Sequence, residues 1–287
     1  MQMKHWKTCS SDILKIKIRK MNNLIRISVI TIKDQMRQKS FYLLLAMAVV
    51  FILLIRGCYQ SNYSVNGRQV ESVSVAWHVS LLVFHFIAAS MLLMTSMLSM
   101  GMFSRDRDDG TMVIFLSRSV DRWQYVLGRI AGIWILTTTI MFILHLTIFL
   151  IVLANTGGMI TGYLTASLLC SFNLLFAIVL TCFLSLFLPN VMAAIFTLGI
   201  IGISFLSDGA YQAMQSELIR QMISGENHAS FWRILFPKVY MFQHYASTLI
   251  TNNAFDGMSP TYVWGNIVFY AGALVAALLW RFYRSEI

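Results

Sequence analysis

The sequence is poor in charge. Lys, Arg, Asp and Glu make up 12% of its 287 residues, about half the usual share in a soluble domain. Its four cysteines, Cys9, Cys58, Cys170 and Cys182, form no C-x-x-C pair. Neither a disulfide framework nor a zinc site is indicated. No H-x-x-x-H or H-E-x-x-H occurs, which removes the usual histidine signature of a membrane metalloenzyme. No G-x-x-x-x-G-K-[ST] occurs either, so this chain is not expected to bind ATP itself. The basic N-terminus meets no long apolar run before Phe41 and is not expected to be a cleaved signal. Met21 is a candidate natural start, because the first twenty residues have no clear place in the architecture.

Apolar residues are abundant, at 57% of the chain. Six long runs stand out: Ser40–Ile55, Val75–Phe103, Ile130–Ala154, Tyr163–Leu188, Val191–Leu206 and Thr261–Trp280. Each is near or above the roughly 18–20 residues that cross a hydrocarbon core. A soluble fold has nowhere to hide this much apolar surface. In lipid every backbone polar group must be bonded within the protein, and period-2 alternation is weak here, against a barrel. The expected fold is an all-α polytopic membrane protein with six transmembrane helices.

Residues 22–39 read as an amphipathic helix. Ile25, Val29, Ile32 and Met36 fall on one face, bordered by Ser28, while Arg26, Lys33, Asp34 and Arg37 face elsewhere. Such a helix, leading into the first span, is expected to lie in the membrane interface. The chain then divides into an N-terminal arm (1–39), a six-span domain (40–280) and a tail (281–287). A polar loop covers 104–129, and 207–260 forms a long connection.

The net charge of +10 is unevenly placed. Seventeen Lys and Arg residues lie in the arm, the 104–129 loop and the tail. Five lie on the opposite side: Arg56, Arg68, Arg220, Arg233 and Lys238. This bias predicts cytoplasmic termini and a cytoplasmic 104–129 loop. The basic charge is then a topology signal, with no nucleic-acid partner implied. Trp77, Trp264, Trp280 and Tyr283 sit near span ends, as interfacial anchors do. The 207–260 segment is expected outside. There Tyr211, Met214, Leu218 and Met222 share a helix face, and Pro237 interrupts "FWRILFPKVYMF". These pieces are expected to dip into or cap the outer surface. The outer acids, Glu71, Asp208, Glu217, Glu226 and Asp256, are expected outside the spans.

The 104–129 loop carries the sharpest pattern. Asp106, Asp108 and Asp109 interleave with Arg105 and Arg107. Asp109 or Thr111 suits a helix start, and Gly110 suits the turn before it. Met112 to Leu116 is an apolar run too short to cross, and Arg118 and Arg122 follow. The expectation is a short helix lying flat beneath the membrane and offering charged side chains to a cytoplasmic partner. The acidic Asp106, Gly110-Thr111, Leu116-Ser117, Val120, Arg122 and Gly128-Arg129 together resemble the cytoplasmic loop of type-2 ABC exporter permeases. Ser119 stands where that family prefers proline. Permeases associated with multi-copper enzyme maturation are especially similar.

The resemblance implies an elbow helix, six spans and pairing with a second permease copy or homologue. It also implies two cytoplasmic ABC ATPase subunits, which hold the ATP and Mg and act on the spans through this loop. Asp106, Asp108, Asp109, Gly110, Thr111, Arg118 and Arg122 are its expected ATPase-coupling residues. An extracytoplasmic accessory protein is a further possible partner. The location implied is the inner membrane.

Inside the spans, His85, His145, Asn173 and Asn266 are candidates for the substrate path, or for interhelical hydrogen bonds. They are expected in one polar layer of the outer half-bilayer. Met91, Met94, Met97 and Met100 recur every three residues; thioethers suit Cu(I), but this step drifts around a helix and Met commonly fills apolar packing. No metal site or catalytic residue is expected. The leading function is ATP-driven export of a lipid, drug, peptide or other amphiphile. The alternatives are a non-transporting ABC membrane subunit serving signalling or mechanical work, and a membrane-embedded enzyme.

Overall fold

Long apolar runs become long helices here. The computed structural model describes residues 23–39, 41–42, 45–46, 48–50, 52–53, 64–65, 68–69, 72–117, 120–156, 162–215, 236–251, 254–255 and 258–284. Helix α1 covers 23–36. A two-residue antiparallel pairing joins Ser64–Val65 (β1) to Arg68–Gln69 (β2). The helices that follow are α2 (Ser72–Ser99), α3 (Met102–Asp108), α4 (Thr111–Ser117), α5 (Arg122–Thr156), α6 (Gly162–Leu184), α7 (Asn190–Gln215), α8 (Val239–Thr251) and α9 (Pro260–Arg284). Five helical stretches are long and apolar enough to cross a membrane: Trp77–Asp108, Arg122–Asn155, Gly162–Leu184, Asn190–Gln212 and Pro260–Arg284. The expected first span, Ser40–Ile55, lies partly outside the described residues; those described within it are helical.

Helix α6 is the centre of the bundle, packing against α2, α5, α7, α8 and α9. Its buried face includes Cys170, Phe176, Ala177, Ile178 and Val179. Helices α7 and α9 leave broad apolar faces outward, among them Val191, Ile195, Leu206, Val268 and Phe269. That is how membrane helices meet lipid, where apolar exposure carries no hydrophobic penalty.

Three boundaries differ from expectation. The 104–129 region is largely helical, because α5 begins at Arg122, well before Ile130. The Asp121 backbone N–H donates to Gln124 Oε1 at 3.2 Å, half of a capping box that fixes this start. Helix α7 runs to Gln215 rather than stopping at Leu206, so Asp208 is not in an outer loop but inside a membrane-length helix. The third concerns "FPKVYMF". Of the two alternatives, dipping in or capping the surface, this piece packs inward: α8 starts just after Pro237 and buries Val239, Met241, Phe242, Gln243 and Ala246. Tyr211 and Met214 belong to α7; Leu218 and Met222 lie outside the described residues.

Candidate functional site: a buried charge cluster behind the 104–129 helices

Two short helices replace the expected loop. Met100 and Gly101 break the end of α2, and the Gly101 carbonyl accepts from Arg105 N–H at 3.0 Å as α3 begins. Gly110 separates α3 from α4 with φ of 67°. That left-handed value suits glycine and is strained for residues with a Cβ. The Gly110 carbonyl then accepts from Val113 N–H at 3.1 Å. The expected glycine turn and short helix are therefore present, although no side-chain cap from Asp109 or Thr111 is seen among the described residues.

Asp106 points inward while Arg105, Arg107, Asp108 and Asp109 are exposed. Its Oδ1 accepts from Arg129 Nη2 at 2.7 Å, and its Oδ2 accepts from the Tyr125 hydroxyl. The Arg129 side chain is only 3% exposed. Its Nη1 donates to Asp34 Oδ2 at 3.0 Å and to Thr31 Oγ1 at 3.4 Å. The guanidinium carbon lies 5.7 Å from the Phe115 ring centroid and 5.8 Å from that of Tyr125. One guanidinium thus binds α1, α3, α4 and α5 together. A planar fork of fixed donors suits this task in a way a lysine would not.

Glycine makes the α1 contact possible. A Cβ on Gly128 would fall 2.8 Å from Ile27 Cγ2, and one on Gly132 would fall 2.6 Å from Thr31 Cβ and 2.8 Å from the Ser28 carbonyl oxygen. The small-x-x-x-small spacing lets the two backbones approach. Ser28 Oγ seals the crossing by donating to the Gly128 carbonyl at 3.0 Å. Helix α1 consequently has three faces. Ile27, Ser28, Thr31 and Gln35 are buried against the protein; Ile25, Val29 and Met36 form an exposed apolar stripe, with Ile32 half-buried beside it; Arg26, Lys33, Asp34 and Arg37 form a charged side.

The region is tied to two more helices. Ser104 Oγ donates to Asn190 Oδ1 at 2.8 Å, at the start of α7. Arg122 Nη1 donates to the Phe282 and Tyr283 carbonyls at 2.8 and 3.2 Å. A cation there complements the exposed carbonyls that end α9. Arg122 therefore braces the last span, while Arg118 lies outside the described residues. The outward surface of α3 and α4 is Arg105, Arg107, Asp108 and Asp109 with Val113, which is 58% exposed.

The four intramembrane candidates divide three to one. His85 Nδ1 meets Gln243 Nε2 at 2.9 Å, Asn173 Nδ2 donates to the Val239 carbonyl at 3.1 Å, and Asn266 Oδ1 accepts from Lys238 N–H at 2.8 Å. These three converge on α8 and the residue just before it. His145 does not join them; its Nδ1 meets Ser167 Oγ at 2.9 Å between α5 and α6. Among the described residues no group of three or more His, Cys, Asp or Glu could hold a metal. Met91 and Met94 are packed in the core while Met97 faces outward, so the methionine run forms no common face.

Sequence reasoning missed Asp34, Tyr125 and Gly132 as parts of the cluster. The "GRIAG" spacing was the available signal for the helix crossing. No curated protein matches the sequence. Residues 26–286 match the family model described as ABC-2 family transporter protein. With nearly the whole chain matched, from α1 to the end of α9, the protein belongs to the ABC-2 transporter family and is a membrane permease subunit of an ABC transporter.

Proposed function

We propose that the chain is the six-span permease of an exporter, moving a lipid, drug, peptide or other amphiphile outward on energy from a separate ATPase. Ser40–Ile55 supplies the first span. Both termini and the α3–α4 face are cytoplasmic, and α1 is an elbow helix in the cytoplasmic interface. Two permeases, identical or homologous, pair above two ABC ATPases. The three faces of α1 support the elbow reading: one meets protein, one suits acyl chains and one suits water and headgroups.

The observation that carries the coupling role is the single guanidinium joining α1, α3, α4 and α5. An ATPase pushing on the exposed α3–α4 face moves helices that cannot shift separately from the third span or the elbow. ATP then biases the spans through differential contacts of the partner in its two states. Arg105, Arg107, Asp108 and Asp109 would steer docking and Val113 would supply its apolar contact.

Reversing exposed charge tests this without touching the cluster. Arg107→Glu, in permease co-expressed with its ATPase and reconstituted in vesicles, is expected to weaken ATPase retention and lower ATP turnover at least about tenfold. Unaltered retention and turnover in both Arg107→Glu and Asp109→Arg would remove the docking role. A non-transporting, force-transmitting subunit would show the same ATPase response, so efflux of a fluorescent amphiphile separates the two readings.

A further inference from the structure

An ion pair is buried at the opposite end of the bundle from the charge cluster. Lys238 Nζ lies 3.0 Å from Asp208 Oδ1, with side chains 0% and 2% exposed. Asp208 is eighteen residues along α7 from Asn190, about 27 Å at helical rise. Asp208 therefore lies toward the far end of a membrane-length helix, and it is the full burial of both charges that makes them expensive. The placement of Lys238 adds a second cost, because a cation just before the first residue of α8 faces the positive end of that helix's dipole.

The surrounding bonds explain what the pair holds. Ser204 Oγ on α7 donates to the Pro237 carbonyl at 2.5 Å, and the Lys238 N–H donates to Asn266 on α9 at 2.8 Å. The start of α8 is thus fixed by side chain and main chain to two membrane-length helices. The body of α8 is held by uncharged contacts: Gln243 with His85 on α2, Asn173 on α6 with the Val239 carbonyl, and His244 Nε2 with Gln212 Nε2 on α7 at 2.6 Å.

A buried ion pair adds little over an apolar pair of the same shape. What it supplies is a switchable fit. Paired and dry, the charges demand one position of α8; parted and wet, each is hydrated by entering water. We propose that Asp208 and Lys238 are the positioning residues of a latch that seats α8 in the bundle and is released when the outward end of the permease opens. The seating half stands on the geometry, whereas the release half rests on the export reading above.

The test uses the full chain with its ABC ATPase in vesicles. Cys9→Ser and Cys58→Ser remove two thiols, and Ser247→Cys places a reporter on the buried side of α8, where Ser247 is 4% exposed. A charged methanethiosulfonate is the probe. Buried Cys170 and Cys182 on α6 report on the rest of the fold. The reporter is expected to be protected at rest. In Asp208→Asn and in Lys238→Met it should label on the order of 100-fold faster, while Cys170 and Cys182 stay protected. Unchanged labelling in both variants overturns the latch. So does labelling of all three thiols together, which would mean the pair supports the whole bundle. During ATP turnover the reporter with the pair intact should become reactive; continued protection while ATP is hydrolysed overturns release. If no ATPase assembles with the chain, the export reading falls and release with it, while the resting-state comparison still decides the seating.

Discussion

Replacing Arg129 by methionine is expected to lower the stability of the permease by about 3–5 kcal/mol, read by unfolding in detergent or lipid. The side chain is almost fully buried, and its removal strands the Asp106 carboxylate against Tyr125. The loss comes chiefly from that orphaned charge. The bond to Asp34 contributes less, because the Asp34 side chain is 46% exposed, where water screens such pairs to about 0–1 kcal/mol. Asp106→Asn should be milder than Arg129→Met, since the amide oxygen still accepts from Arg129, the amide N–H can donate to the Tyr125 hydroxyl oxygen, and Asp34 still pairs the guanidinium. Asp34→Asn should be milder still. A flat ranking across the three variants would contradict the cluster's geometry. Coupling should fall more steeply than stability: Arg129→Lys keeps the charge but cannot fork to two carboxylates and stack on Phe115 at once.

Gly132→Leu is expected to be the most disruptive glycine substitution in the half of the bundle that holds the charge cluster. The first added carbon meets the Ser28 carbonyl oxygen at 2.8 Å and Thr31 Cβ at 2.6 Å, and backbone cannot rotate out of the way. Overpacking of this kind costs about 1–3 kcal/mol. Its specific effect should be to lift α1 from α5 and lengthen the Arg129–Asp34 and Ser28–Gly128 bonds. Spin labels at Arg26 and Ala131 would read that separation. An unchanged distance in Gly132→Leu would mean that the crossing is not held by close backbone approach. Gly199 and Gly202 on α7 make the control, because an added Cβ there meets nothing within 4 Å.

The membrane-length helices were legible because uncharged apolar runs leave few alternatives in lipid. Their ends were less so. Ser207-Asp208-Gly209 reads as the close of a span by hydropathy, yet α7 continues to Gln215 because Lys238, thirty residues downstream, neutralises Asp208. No local pattern carries such a pairing. The apolar stripe of α1 is legible in the residue spacing, whereas its protein-facing side is not. Ile27, Ser28, Thr31 and Gln35 fit against the glycines of α5, so small and polar residues are buried where a hydropathy rule expects exposure.

In the 104–129 region the sequence groups charged residues that the structure divides between an exposed and an internal position. Asp108 and Asp109 are on the outside, where a partner can meet them, and Gly110 makes the turn. Asp106 and Arg122 are internal braces, one for α5 and α1, the other for the end of α9. The alternation of acid and base in "RDRDD" is therefore partly a helical one: one charge of the five, Asp106, turns inward to be paired, and the other four remain exposed. His85, Asn173 and Asn266 likewise share a region, as a common polar layer would require. Their shared object is α8, which no depth count along separate spans could supply.

On the proposed function, the exposed α3–α4 face receives the ATPase and Arg129 carries its movement into the spans. Site-specific cross-linking from a photoreactive residue at Val113 tests this most directly, in the assembled complex, with and without the Arg129→Met change. Adducts with the ABC ATPase are expected in both backgrounds, with ATP-dependent change of the α1–α5 distance lost only in Arg129→Met. No adduct from Val113, or an ATP-dependent distance change that survives the loss of Arg129, would contradict it.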